Sequence, residues 1–128
     1  MAIFGIGATF DSTDVSEDFI NASIIGIGWN STDAPELQVY LKSLRVGDIV
    51  YIKSANFGSD ITVKAIGIIR DCDIISGNPI ASIARNVKWV NTNKFIIPKP
   101  THEKNNVRSN SIYEEFHPDV LKEIISKM

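Results

Sequence analysis

Cysteine is almost absent from this 128-residue chain: Cys72 stands alone. A single thiol excludes an internal disulfide framework and a cysteine-based zinc site. Histidine is nearly as scarce. His102 and His117 lie too far apart for the short ligand spacings of metal sites, so neither metal nor cofactor is expected. No apolar run approaches the roughly 18 residues of a membrane span. Met1-Ala-Ile-Phe-Gly-Ile-Gly7 lacks the basic stretch and long apolar core of a signal peptide. The expected setting is therefore cytoplasmic, in a cell or an infected host, with no membrane partner. Strong charge is missing too, since a net −2 does not suit a generic DNA-coating protein. Gly26 and Gly28 lack the third glycine of a dinucleotide fingerprint, and no P-loop lysine follows. Cys72, between Asp71 and Asp73, has no evident base to activate it. Catalysis is not expected.

What remains is an ordinary globular composition, 44% hydrophobic and 22% charged, in a length that suits a single domain over residues 1–128. The charge is unevenly placed. Residues 1–48 hold seven acids against Lys42 and Arg45, whereas residues 49–108 hold nine bases against four acids. A basic face over the middle segment would suit phosphates. Outward-facing lysines on solvated strands explain the same pattern.

The segment Arg45-Val-Gly-Asp-Ile-Val-Tyr-Ile-Lys-Ser54, with Ile61-Thr-Val-Lys-Ala-Ile-Gly-Ile-Ile69, predicts a turn, a strand and a long partner strand. Before it, Asp33-Ala-Pro-Glu36 opens a helix in which Asp33 caps and Pro35 fits the first turn. Leu37, Tyr40, Leu41 and Leu44 form its apolar stripe. Upstream, Ile3–Phe10 predicts a first strand, Asp11-Ser-Thr-Asp14 a turn, and Asp14 with Glu17 a capping box for a short helix through Ile20. Ser23–Trp29 reads as a buried strand. Downstream, Arg85–Val90 alternates at strand period, with Val87 and Trp89 on one face. Lys94–Ile97 is a short strand, Thr101–Ser111 a long polar loop and Ser111–Tyr113 a last strand. Pro118–Lys127 is a closing helix with Val120, Leu121, Ile124 and Ile125 inward, and His117 stands at its start. This order points to an α+β fold: a small mixed β-barrel with about three peripheral helices.

In order and spacing, several of these pieces resemble the EVE branch of the PUA-like superfamily. The matching segments are Ile27-Gly-Trp29 and the helix after it, Val46–Ser54, Ala65–Ile69, Val87–Val90, and Ser111–Tyr113 before a last helix. The resemblance covers roughly residues 24–125 and leaves out the first twenty. It implies a five- or six-stranded PUA-like barrel that binds nucleic acid and holds a flipped, often modified, base in an aromatic pocket. Trp29 and Trp89 fall where the resembling modules place tryptophans. No nuclease or NTPase segment accompanies the module in these residues, and the Lys-and-Arg signature of related PUA-like nucleases is not found.

For base stacking the candidates are Trp29, Phe57, Trp89 and Tyr51. Each tryptophan is open to a second reading as a core residue. Phe57, at a polar hairpin tip, has no core to join. Asn30, Ser31, Ser54 and Asn56 are candidate edge readers, and Lys53, Lys64, Arg85, Lys88 and Arg108 candidate phosphate contacts. Arg108 gains weight from its long loop. The leading expectation is a non-catalytic module that reads a nucleobase in DNA or RNA. One alternative is a stand-alone protein that sequesters a free signalling nucleotide, as in phage–host conflict. Another is a protein-interaction module that pairs through an open strand edge, as a homo-oligomer.

Overall fold

The computed structural model describes residues 2–29, 32–54, 59–101 and 111–128. Its strands are β1 (Ile3–Gly7), β2 (Thr9–Phe10), β3 (Thr13–Asp14), β4 (Ile24–Ile27), β5 (Ile49–Ser54), β6 (Ile61–Ile69), β7 (Ile75–Ser76), β8 (Ile83–Asn91), β9 (Phe95–Ile97) and β10 (Ile112–Glu114). The helices are α1 (Ser16–Ala22), α2 (Pro35–Lys42) and α3 (Pro118–Ser126). The architecture is α+β: a curled mixed sheet forms a half-barrel, and the three helices pack around it.

The main path of the sheet runs β10-β1-β5-β6-β8-β4, with β7 on β8 and β9 on β6. The β1–β5 pair is parallel and the other pairs are antiparallel, which makes the sheet mixed. Curling has a visible cause in β6. Its first residues pair with β9 and its last with β8, and the register shifts between Ile66 and Gly67. A second irregularity lies between Ile52 and Lys53. Extra residues of this kind bend a strand and increase its twist.

Strand alternation sends side chains to two cores. Val50 and Ile52 of β5 join Phe19 of α1 and Leu41 of α2 in one. Ile49 and Tyr51 join Val120 and Ile124 of α3 in the other. The stripe expected on α2 is present, with Leu41 and Leu44 buried and Leu37 and Tyr40 packed at their margin. On α3 the expected inward set is smaller. Val120 and Ile124 are buried and Leu121 is half-buried, but Ile125 is 60% exposed because its direction points off the sheet. His117 starts α3 as expected, accepting from the Asp119 backbone N–H on Nδ1 at 3.2 Å.

The caps of the first two helices differ from expectation. Asp14 Oδ1 accepts from the Ser16 backbone N–H at 2.9 Å and from its hydroxyl at 2.6 Å, in place of a capping box with Glu17. The cap position of α2 is Ala34 and carries no side-chain bond; Pro35 occupies the first turn. Asp48 closes the turn into β5, its two carboxylate oxygens accepting from the backbone N–H groups of Ala2 and Arg45.

Candidate functional site

Residues from distant parts of the chain converge beside the β2–β3 hairpin. Its pairs, Thr9 with Asp14 and Phe10 with Thr13, leave a two-residue loop of Asp11 and Ser12. Both loop residues have positive φ, 49° and 68°. Two left-handed residues in such a loop give the turn whose twist suits a hairpin, and Asp tolerates that conformation. The hairpin is tied down from outside, for Lys64 Nζ of β6 reaches Asp14 Oδ2 at 2.7 Å. Those contacts hold the Asp14 carboxyl low, at about 2: the Lys64 hydrogen bond contributes most, followed by the Ser16 bonds.

Phe10 leans edge-on against Phe19, with centroids 5.8 Å apart. Its ring also covers Gly28, where an added Cβ would stand 3.1 Å from Phe10 Cγ. Glycine is what lets the chain leave β4 so close to this ring. Trp29 comes next, 52% exposed. Its indole Nε1 donates to Ser111 Oγ at 3.2 Å, across 82 positions of sequence. Its carbonyl accepts from Ser82 Oγ at 2.7 Å and from Gln38 Nε2 at 3.0 Å. The backbone and the indole edge are therefore both fixed, while much of the ring faces solvent. Thr9, Phe10, Asp11, Gly28, Trp29 and Ser111 line a cleft of about 120 Å³ here.

The other stacking candidates go elsewhere. Trp89 is half-buried at the margin of the first core, its ring against Gly67, where an added Cβ would come within 2.8 Å of Cε3. Its Nε1 is sealed from water and meets no acceptor among the described residues. Tyr51 is fully buried, which corrects its expected stacking role. Its hydroxyl donates to Glu115 Oε1 at 2.6 Å and lies 2.9 Å from the Tyr113 hydroxyl. Burial first, then the neighbouring Tyr113 and Glu115, pushes the Tyr51 phenol well above its ordinary range. It stays protonated as a donor inside the fold.

The expected phosphate contacts also need correction. Arg85 is 1% exposed. Its Nη1 donates to the carbonyls of Leu41 and Leu44 at 3.0 and 2.6 Å, and its Nη2 to that of Asp71 at 2.9 Å. This guanidinium secures the C-terminal end of α2, where backbone carbonyls lack partners within the helix and favour a cation. Lys53 is buried as well, with its ammonium 5.5 Å from the Tyr113 ring centroid. Ser54 and Lys88 are exposed on β5 and β8, outside the cleft lining. Phe57, Asn30, Ser31, Asn56 and Arg108 lie outside the described residues.

Of the expected set, Trp29 alone lines the cleft among the described residues. Thr9, Phe10, Asp11 and Ser111 were not anticipated. The sequence did carry one signal for them, an aromatic residue directly before a polar turn at Phe10-Asp11, which a strand-and-turn reading passes over. Among the described residues no group of three or more His, Cys, Asp and Glu side chains is placed to hold a metal. No described helix is long and apolar enough to cross a membrane. No protein-family model and no curated protein matches the chain.

Proposed function

We propose that this protein is a non-catalytic, cytoplasmic PUA-like module that recognises a nucleobase, modified or unmodified, by stacking it on Trp29. The observation that carries this reading is the exposed indole, oriented by Ser111 at the wall of a cleft. An exposed indole plane offers about 1–3 kcal/mol of stacking to a base. The curled mixed sheet with three helices is compatible with the frame the resemblance implies.

A free nucleotide is the second reading, and one observation favours it over a nucleic-acid strand. Neither Lys nor Arg lines the cleft among the described residues, and Arg85 and Lys53 are engaged inside the fold. The track of cations that follows a polymer backbone is thus thinner than the charge pattern alone suggests.

Trp29→Ala tests the shared premise. It should abolish binding of a mixed-sequence oligonucleotide and of free nucleotides. The far-ultraviolet circular dichroism should not change, and stability should shift by less than about 0.5 kcal/mol, as for an exposed site. Full binding by this variant would remove the proposal. A salt titration then separates the two ligands. Affinity for a strand falls steeply with salt through counterion release, while affinity for one nucleotide falls only mildly.

A further inference from the structure

We infer that the Trp29 cleft selects a guanine-type ring, with the Asp11 carboxylate at its rim accepting the two adjacent N–H donors of that ring's edge. This rests on the nucleobase reading and names which base enters. The chemistry of the lining argues for it. Asp11 lines the cleft, supplies two acceptor oxygens and has no partner among the described residues. An ionised carboxylate only accepts, and it pairs best with two parallel donors. Among the common bases guanine alone presents adjacent donors, N1–H and the N2 amino group. Adenine and cytosine each place a ring acceptor beside their amino group, which a carboxylate would repel. Uracil and thymine set their single N–H between two carbonyls.

The hydroxyls of the cleft fit the rest of the ring. Ser111 Oγ already accepts from the Trp29 indole, which leaves its own O–H to donate. Thr9, a second hydroxyl-bearing residue, is also part of the lining. Guanine carries acceptors at O6 and N7 for such donors. An arginine side chain of a peptide would also stack on Trp29 and pair with Asp11. It has no acceptor, however, so neither hydroxyl could donate to it. The hairpin makes Asp11 a firm reader, because a two-residue turn anchored through Asp14 and Lys64 fixes where it stands.

The test uses Trp29 fluorescence, with the Trp29→Phe variant subtracted to remove the Trp89 signal. Guanosine, inosine, adenosine, cytidine and uridine are titrated as nucleosides, so that phosphate plays no part. Guanosine should bind tightest. Inosine, which keeps N1–H but lacks the N2 amino group, should bind about 10- to 150-fold more weakly, the value of one hydrogen bond to a charged group. Asp11→Asn keeps a residue that suits the left-handed turn but replaces one acceptor by a donor. It should bring guanosine and adenosine to within about threefold, with an unchanged melting temperature. Equal binding of all nucleosides, unaffected by Asp11→Asn, overturns the guanine assignment and leaves base recognition standing. No response to any nucleoside overturns base recognition itself. Tighter binding of N-acetyl-arginine amide than of guanosine overturns the assignment in favour of a peptide ligand.

Discussion

Trp29 and Trp89 are one side chain in opposite circumstances. Trp29 is half in water, yet its indole N–H has a protein acceptor that water could have replaced. Trp89 is largely inside, and its N–H has none among the described residues. Leaving a buried donor unmet costs about 1–3 kcal/mol, so packing around Trp89 must outweigh that. An acceptor for an exposed indole adds little stability. What it adds is a fixed orientation. The region around β8 is thus built for cohesion, whereas beside the β2–β3 hairpin an indole is held in place with much of its ring in solvent.

The largest expected effect tests the cohesive side. Trp89→Ala should destabilise the protein by about 3–5 kcal/mol, because the ring seated on Gly67 would leave a void that the sheet cannot close. Trp89→Phe keeps most of the apolar contact and removes the unmet N–H, so its cost should stay below about 1.5 kcal/mol. Urea denaturation of both variants measures the difference. Equal losses would mean that Nε1 has a partner in solution and that the two tryptophans differ less in their N–H environment.

Arg85 is the second member of the cohesive region. Arg85→Leu should cost about 2–5 kcal/mol, since it strips the carbonyls of Leu41, Leu44 and Asp71 of a charged donor inside the fold. Arg85→Lys should recover only part of this, because one ammonium cannot reproduce the planar fork between α2 and Asp71. Thermal melting reads both. A stable Arg85→Leu protein with weakened ligand binding would move Arg85 back to the binding side.

These two regions were not equally legible in the sequence. The frame was: β5, β6, α2 and α3 have strong periodicity and short-range turn signals, and they stand within a residue or two of their expected bounds. β7 was missed because two residues carry no period. Arg85 misled for a physical reason. Alternation places polar residues outward only where one sheet face is solvated, and β8 is covered where α2 ends. The cleft was the hardest to read. Trp29 could be singled out as an aromatic residue, but Ser111 is brought to it by β10 pairing with β1, and Phe10 by the hairpin folding over Gly28. Contacts made by topology leave no local trace. Composition could identify an aromatic candidate and could not assemble its neighbours.

The smallest expected effect concerns how firmly the β2–β3 hairpin is anchored. Lys64 and Asp14 join the hairpin to β6, with Asp14 about half exposed at 53%. Solvent screening at such a pair keeps its worth to about 0.2–1 kcal/mol, less at high salt. The Asp14 carboxyl is depressed from 3.8 to about 2 in the fold. A depressed acid stabilises the folded form above its unfolded value and loses that contribution as pH falls through its folded value. The Lys64→Met variant should therefore be slightly less stable than the natural protein at neutral pH. The gap should narrow as pH drops below about 3.8 and largely close near 2. Melting curves across that range read the gap. If binding at neutral pH weakens far more in this variant than stability does, the anchor acts on presentation: the bridge holds Asp11 where a ligand can meet it, and cohesion is its lesser role.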